Sequence, residues 1–138
     1  MSRIETAAQL AAHGDLGEVF TTQFCFSLAN AHMHRMAVAL ESQRPELTIE
    51  TAKHFQPDSL PSAERRASYW VDVGRAHAAL RKDKLAVAAF RRAEVIAPLR
   101  VRLHPLAREA VAGMVVRAHQ AAVGRDLRGL AYRMGVPH

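Results

Sequence analysis

The sequence predicts an all-α protein. Alanine dominates the composition, only seven of the 138 residues are glycine, and β-branched residues never alternate cleanly with polar ones. Alanine has the highest helix propensity, whereas clean alternation is typical of strands. A chain of this length fits one domain with its own core. We therefore expect residues 1–138 to form a single domain of antiparallel helix pairs that stack as a short right-handed α-solenoid.

Three helices are predicted in the N-terminal part of the chain. The first covers about residues 4–12 and the second covers residues 16–42, and both end at segments that contain glycine or proline. Thr48 is expected to cap the third helix, which ends before Pro57. Residues 56–66 contain two prolines and are expected to form a turn between helix pairs rather than a domain boundary.

Two longer helices with clearer boundaries are predicted next. They cover residues 63–80 and 85–96, and the polar residues 81–84 between them are expected to form a turn. Pro98 ends the second helix because it cannot continue the backbone hydrogen bonding. Since the connecting turn is so short, the two helices are expected to lie antiparallel.

The C-terminal part of the chain predicts two capping helices within residues 104–134. Pro105 is favoured at the first position of a helix, and Gly124 is expected to cap the end of that helix. Residues 126–134 are then expected to form a last short helix that Gly135 caps.

The clearest motif is a pattern of about 34 residues that spreads over the two central helices. With Gly74 as its eighth position, small, aromatic and proline residues fall at the offsets of a tetratricopeptide repeat. The residues with a structural role in it are Trp70, Gly74, His77, Ala86, Phe90, Ala93 and Pro98. Gly74 and Ala86 are expected to let the helices cross closely, while Trp70 and Phe90 fill the wedge beyond the contact. This best repeat covers residues 67–100.

A degenerate copy of the same unit is predicted upstream, over about residues 24–57. Leu40 and Leu47 are expected to match the leucines that flank the turn of the better repeat. Thr48 then matches Ala86, and the upstream turn is expected to be two residues longer. Two helix pairs followed by capping helices present one concave face, which is the usual binding surface of stacked helical repeats.

Four stretches of the chain resemble a known family. They are LPSAERRASYWVDVGRAHAAL, AFRRAEVIAPLRVRLHPLAREAV, LRGLAYRMGV and FSLANAHMHRMAVALE. Together they are similar to the C-terminal tetratricopeptide-like region of actinobacterial helix-turn-helix transcriptional regulators of the XRE type, over about residues 24–137. The resemblance implies a regulatory or sensor region that normally follows a DNA-binding domain.

A DNA-reading domain is not predicted in this chain. Residues 6–27 offer the alanine and glycine spacing of a helix-turn-helix, but their recognition helix would be FTTQFCFS. That helix is apolar where side chains that read bases and bind phosphates are required. We expect DNA binding only through a missing domain, so that the chain is either a naturally short member of the family or a fragment.

The candidate binding residues lie on the helices that line the concave face. Asn30 and His34 share one face of the first helix of the degenerate repeat, and Ser68, Val71 and Arg75 are expected to project the same way from the next such helix. The occupant is expected to be a peptide, a small molecule or a protein partner. In the alternative, Asn30 only fixes the packing by bonding to His34 or to a neighbouring backbone group, and Arg75 is a solvated charge.

No catalytic, metal or cofactor site is predicted, and we expect the protein not to be an enzyme. Neither a nucleophile elbow nor a glycine-rich phosphate loop occurs in the sequence. His32 and His34 are two residues apart, so on a helix they point about 200° apart and cannot chelate one ion. His77 is interpreted as a histidine at the edge of the core.

The single cysteine and the hydropathy pattern bear on location. Cys25 lies in an apolar run, which favours a buried thiol and a cytoplasmic protein. No segment approaches the about 20 apolar residues that a membrane span needs, so no membrane association is expected.

The charge is distributed unevenly along the chain. Residues 1–60 carry four Lys or Arg against seven Asp or Glu, whereas residues 61–138 carry fifteen against six. Direct DNA binding by this basic half is one alternative, although we favour arginines on solvated helix faces. Homo-oligomerisation is another alternative, with a homodimer formed through the apolar helices of residues 1–30.

Overall fold

All the secondary structure in the described part of the chain is helical, which confirms the predicted fold class. The computed structural model of the protein describes residues 15–118 and 124–137, and it contains no strand within them. The helix predicted over residues 4–12 lies outside the described residues. The side chain of Cys25, which was predicted to be buried, lies outside them as well.

The helices follow one another with short connections. They are α1 (Asp15–Glu41), α2 (Pro45–Ala52), a 3-10 helix (Pro57–Ser59), α3 (Ala63–Ala79), α4 (Asp83–Ile96), α5 (Pro98–Arg102), α6 (Pro105–Arg117) and α7 (Gly124–Met134). The central helices α3 and α4 match the predicted ranges to within two residues. The short helix α5 was not predicted, because five residues are too few to show a helical period.

The start of α2 differs from the prediction. The helix begins at Pro45, three residues before Thr48, and Thr48 is fully buried instead of capping the helix. Proline is favoured in a first helical turn because its missing N–H group would have no partner there. The Thr48 hydroxyl instead donates a hydrogen bond to the main-chain oxygen of Met36 in α1, at 2.9 Å.

The two predicted glycine caps have opposite outcomes. Gly135 follows α7 with a φ of 69°, and the next N–H group, of Val136, donates to the oxygen of Ala131 at 2.9 Å, so this cap is confirmed. The prediction for Gly124 is wrong, because α6 ends at Arg117 and Gly124 lies in α7.

The turn between α1 and α2 has the same hydrogen bonds as the turn between α3 and α4. In the first turn the N–H groups of Ser42, Gln43 and Arg44 donate to the oxygens of Val38, Leu40 and Ala39. In the second turn the N–H groups of Leu80, Arg81 and Lys82 donate to the oxygens of Ala76, Ala78 and His77. Gln43 and Arg81 are both left-handed, with φ of 61° and 62°. The turns therefore have equal length, and the predicted two-residue extension of the first turn is wrong.

The ends of five helices recur at a constant interval in the described residues, whereas the end of α2 at Ala52 does not follow it. The helices α1, α3 and α6 end at Glu41, Ala79 and Arg117, and the two intervals between these ends are equal. The same interval separates Ile96 and Met134, where α4 and α7 end. We call the interval from Glu41 to Ala79 the repeat spacing. It exceeds the about 34 residues of the predicted unit, because additional helical turns lie in the connections between helix pairs.

The helices pack with α3 at the centre. It contacts α1 and α6 on its two sides, as well as its partner α4 and the preceding α2. The helices α1, α3 and α6 thus lie side by side in one layer, while α4 and α7 contact each other behind that layer. Residues at corresponding positions of α1, α3 and α6 are therefore brought to the same surface.

Gly74 permits a close contact between α3 and α4. A Cβ atom at this position would lie 2.8 Å from two ring carbons of Phe90, which is closer than real Cβ contacts. Phe90, Ala86 and Ala93 are fully buried. The Phe90 ring therefore lies directly on Gly74 rather than in a wedge beyond the crossing, and the reason for the glycine is the ring rather than the opposite backbone.

Two clusters of buried side chains hold the layers together. One joins α3 and α4 to α6 and α7 and includes Phe90 and Met114, whereas the other lies between α1, α2 and α3 and includes Met36 and Leu60. Trp70 is half-buried and packs against both clusters. Trp70 thus connects the two clusters, and the second cluster itself joins the first helix pair to α3 through side chains such as Tyr69 and Val73.

His77 and Pro98 lie at the edge of this core. His77 is half-buried, and its Nδ1 atom has no hydrogen-bond partner among the described residues. Burial, followed by the positive charge of Lys82, lowers the pKa of His77. Pro98 is exposed and begins α5.

Candidate functional site

A groove lies on the surface of the layer formed by α1, α3 and α6. We call it the inner groove, and its volume is about 620 Å³. Its polar lining consists of Asn30, His34 and Glu41 from α1, Arg65, Ser68, Asp72 and Arg75 from α3, and His104 just before α6. Its apolar lining consists of Met33, Ala37 and Leu106. Such a mixture of apolar surface and a few convergent polar groups is typical of binding sites.

Four of the five predicted binding residues line the inner groove. They are Asn30, His34, Ser68 and Arg75. Ser68 follows Asn30 by one repeat spacing, so these two residues occupy the same position on neighbouring helices. The structure thus brings together residues that are far apart in the sequence.

Val71 does not line the groove, and its predicted binding role is wrong. Its side chain is 2% exposed and lies in the core cluster that contains Phe90. Successive residues on a helix point about 100° apart, and the groove position belongs to the next residue, Asp72. Asp72 follows His34 by one repeat spacing, which is the signal that could have identified it.

Asp72 and Arg75 form an ion pair on the wall of the inner groove. An Arg75 nitrogen lies 3.6 Å from an Asp72 carboxylate oxygen, and the Arg75 and Asp72 side chains are 22% and 15% exposed. Burial raises the pKa of Asp72 to about 6, and the positive charge of Arg75 opposes the rise without cancelling it. The carboxyl group is therefore ionised at neutral pH, where it can accept hydrogen bonds from a ligand, and takes up a proton in mild acid.

Asn30 contributes a hydrogen-bond acceptor that the described residues do not use. Its Oδ1 atom is buried and has no partner among them. An unpaired buried oxygen costs about 1–3 kcal/mol, and a donor of a bound molecule can reach this atom only if the Asn30 side chain turns towards the inner groove. The alternative interpretation, in which Asn30 only bonds to His34 or to the backbone, has no support at this oxygen.

His104 lies where the inner groove meets the start of α6. Its Nδ1 atom accepts a hydrogen bond from the N–H group of Ala107 at 3.3 Å and so caps the helix. Burial, followed by the positive charges of Arg75 and Arg100, lowers the pKa of His104. Because Nδ1 accepts this hydrogen bond, the neutral ring has its proton on Nε2, and this N–H group is a hydrogen-bond donor.

A second depression continues the inner groove towards the interhelical turns. Its volume is about 400 Å³, and it shares Arg75 and Leu106 with the groove while adding Gln43 and Arg81. The stretch from Asn30 to Gln43 corresponds to about 20 Å along a helix. The combined surface is therefore elongated, and it carries both acidic and basic side chains.

His32 and His34 lie on different sides of α1. His34 lines the inner groove, whereas His32 stacks on Phe55 with ring centres 5.2 Å apart. Among residues 15–118 and 124–137, no group of three or more His, Cys, Asp or Glu is arranged to hold a metal ion. The same residues include no helix with both the length and the apolar character that crossing a membrane requires.

Ion pairs neutralise part of the basic C-terminal half. Six arginines of this half have acidic partners, in the pairs Arg75–Asp72, Arg91–Asp126, Arg100–Glu64, Arg102–Glu94, Arg117–Asp83 and Arg133–Glu94. Since fifteen cationic residues face six acidic ones in this half, its direct binding to DNA stays a prediction.

Comparison with known proteins assigns no relative to this chain. No family model, no curated protein and no solved structure matches it. The class that the structure defines is an all-helical protein, and the inner groove is its candidate binding site.

Proposed function

We propose that the chain is a non-catalytic binding module of tetratricopeptide-like helix pairs, arranged as a right-handed α-solenoid. The equal turns, the constant repeat spacing of the helix ends and the side-by-side packing of α1, α3 and α6 support this proposal. Stacked helical repeats commonly bind their partners on the surface formed by one helix from each pair. The inner groove lies on that surface.

We further propose that the module is the regulatory or sensor region of a cytoplasmic transcriptional regulator. The support is the resemblance of residues 24–137 to the region that follows the DNA-binding domain in XRE-type regulators. In this setting, a ligand in the inner groove changes how the DNA-binding domain is presented. The module itself needs no catalytic group for that role.

The occupant that we propose for the inner groove is an extended peptide. The observation that carries this proposal is that Asn30, His34, Ser68 and Arg75 line one elongated surface. An extended chain advances about 3.3 Å per residue, so a surface of about 20 Å holds about six residues. The Asp72 carboxylate accepts hydrogen bonds from the peptide, Arg75 binds its carboxyl groups, and Asn30 contacts it as part of the groove lining.

A peptide-display selection on the immobilised full chain tests the proposal. We expect the enriched peptides to bind the wild type and to lose about tenfold or more in affinity with Arg75→Ala or Asn30→Ala. Arg91→Ala is the matched control, because Arg91 also forms an ion pair but does not line the groove. Peptide binding would be contradicted if the selection enriched no peptide, or if the enriched peptides bound both groove variants with the affinity of the wild type.

A homodimer is the second candidate function, and it rests on exposed apolar residues of α1. Val19 and Phe20 are 60% and 50% exposed at adjacent positions. Large apolar side chains exposed side by side favour contact with another chain. Size-exclusion chromatography with light scattering is expected to find a dimer that Phe20→Ser converts to a monomer. A wild type that is monomeric at all concentrations would exclude this candidate.

A further inference from the structure

A second cavity lies on the opposite side of α3 from the inner groove. We call it the outer cavity; its volume is about 560 Å³, and it is lined by residues of α2, the 3-10 helix, α3 and α4. Trp70 lines it, whereas Ser68 and Asp72, two residues before and after Trp70, line the inner groove. Residues two apart on a helix point about 200° apart, so the two sites are separate.

Aromatic side chains form the walls of the outer cavity. Phe55 and Tyr69 meet edge to face with ring centres 5.3 Å apart, and Tyr69 and Trp70 meet in the same way at 5.0 Å. The Tyr69 hydroxyl donates a hydrogen bond to the main-chain oxygen of Ala52 at 3.0 Å, which fixes its ring. The aliphatic lining residues are Val95 and Ile96. A preformed cavity of this size, with aromatic walls and a few polar groups, is typical of small-molecule sites.

The outer cavity also has positively charged groups at its surface. The guanidinium carbon of Arg92 lies 4.6 Å from the centre of the Trp70 ring, and Arg92 is in none of the ion pairs of the described residues. Lys53 also lines the cavity, and its ion pair with Glu50 is long, at 3.9 Å, and exposed. Asp58 is the acidic residue of the described lining. The balance of charge favours an anionic group beside the aromatic wall.

The corresponding positions of the first helix pair lack this combination. His32 and His54, one repeat spacing before Trp70 and Arg92, stack with ring centres 6.4 Å apart. Burial, followed by the charges of Arg35 and His54, lowers the pKa of His32. A permanent cation over a large aromatic ring is therefore a property of the second pair and not of the repeated backbone.

We propose that the outer cavity binds a small planar aromatic carboxylate. The ring of the ligand packs against Phe55 and Trp70, and its carboxylate pairs with Arg92, with a weaker contribution from Lys53. Arg92 can keep its contact with Trp70 at the same time, because a guanidinium group has five N–H donors and those at its edge bond to the carboxylate. Binding at this site does not depend on the function of the inner groove.

Trp70 provides a direct readout because it is the only tryptophan in the chain. Its indole N–H group gives a single signal in a ¹H–¹⁵N correlation spectrum of the full chain, and 1-naphthoate is the probe. We expect a saturable shift of this signal. Arg92→Ala is expected to raise the dissociation constant about tenfold or more, because a hydrogen bond to a charged group is lost.

Two controls separate the carboxylate contact from general effects. Arg91→Ala changes the neighbouring arginine, which pairs with Asp126, and is expected to bind 1-naphthoate like the wild type. The neutral 1-naphthalenemethanol has the same rings but no carboxylate, and it is tested on the wild type. It is expected to bind about tenfold more weakly than 1-naphthoate. No saturable shift, equal affinity of Arg92→Ala and Arg91→Ala, or equal affinity for the neutral probe would overturn the proposal. Arg75→Ala is expected to leave the affinity for 1-naphthoate unchanged, because Arg75 lines the inner groove and not the outer cavity. The proposals for the two sites are therefore tested independently.

Discussion

The helix pairs α1–α2 and α3–α4 have turns of the same geometry, but they differ in the residues at which their helices cross. The backbone hydrogen bonds of their turns are the same, one repeat spacing apart. At the crossing, Gly74 and Phe90 of the second pair stand where the first pair has Met36 and Ala52. The large residue at the crossing therefore lies on the second helix in α3–α4, where it is Phe90, and on the first helix in α1–α2, where it is Met36.

This exchange shows that similar backbones can be filled in opposite ways. Met36 and Phe90 are both fully buried, and Ala52 is 7% exposed. Each crossing thus combines one large residue with one small one. Protein interiors are packed to a nearly constant density, so a change of volume on one helix requires a compensating change on the other.

The strongest test of this comparison copies the first crossing into the second. Phe90→Ala alone is expected to lower the free energy of unfolding by about 3–5 kcal/mol, because it leaves a cavity. Gly74→Met alone is expected to cost about 1–3 kcal/mol or more, since even a Cβ there lies 2.8 Å from the Phe90 ring. The double variant is expected to lose at least about 1 kcal/mol less than the sum. Urea unfolding measures all three variants.

The control for this cycle combines Gly74→Met with Met114→Ala. Met114 is fully buried in the same cluster, but it lies on α6 and does not appear among the atoms nearest a Cβ at Gly74. Its loss is therefore expected to add to that of Gly74→Met. If Phe90→Ala also adds without relief, the two crossings are not interchangeable and the comparison fails.

The walls of the inner groove differ between the pairs as well, since Asp72 on α3 stands where His34 stands on α1. Burial raises the pKa of Asp72 from 3.8 to about 6. The folded protein therefore binds this proton more tightly than the unfolded chain does. The contribution of Asp72 to stability must then rise as the pH falls from about 6 towards 3.8, by up to about 3 kcal/mol.

Asp72→Asn removes this dependence and so isolates it. We expect the free energy of unfolding of the wild type, relative to that of Asp72→Asn, to rise as the pH is lowered from 7.5 to 4. Urea unfolding at each pH measures this difference. Ser68→Ala changes another groove residue without a titrating group, and its difference from the wild type is expected to be independent of pH. A constant difference for Asp72→Asn as well would mean that Arg75 keeps the carboxylate ionised throughout.

Residues that follow one local rule were predicted best from the sequence. Gly135 follows such a rule, because a left-handed φ favours glycine. For Gly74 the sequence predicted a close contact, but not that the Phe90 ring makes it. Val71 was misplaced because helix faces assigned from spacing carry an error of one residue, or about 100°. Asp72 was missed because a buried charged residue follows no hydrophobic pattern.

Features that depend on several elements could not be predicted. The outer cavity is formed by residues of four elements, and Trp70 alone indicated only a scaffold. The start of α2 was misplaced because Pro45 and Thr48 both suit the beginning of a helix, and only the contact of Thr48 with α1 decides between them. The sequence therefore predicts the helix pairs better than it predicts what lies between them.

Glu94 gives the second pair a connection that the first pair lacks. Its carboxylate accepts hydrogen bonds from Arg133 at 2.7 and 2.9 Å and from Arg102 at 3.1 Å, and so ties α4 to α7 and α5. Burial alone would raise the pKa of Glu94, but these bonds and charges outweigh it and hold the pKa below its usual value. The residue one repeat spacing earlier, Gln56, lies beyond the end of α2.

Glu94→Gln is expected to lower the free energy of unfolding by about 2 kcal/mol. This is less than the about 3–5 kcal/mol of a fully buried pair, because Arg102 and Arg133 are 39% and 35% exposed. Glu64→Gln is the matched control; its pair with Arg100 is exposed, so a loss of about 0–1 kcal/mol is expected. Equal losses in thermal or urea unfolding would mean that Glu94 does not join the helix pairs.

The smallest expected effect concerns the hydroxyl group that only the first crossing contains. Thr48 donates to the Met36 oxygen at 2.9 Å, whereas Ala86 occupies its place in the second pair. Thr48→Val keeps the shape and removes the donor, so a loss of about 1 kcal/mol in urea unfolding is expected. An unchanged or higher stability would mean that the hydroxyl is replaceable, and that the two crossings differ only in how Met36 and Phe90 fill them.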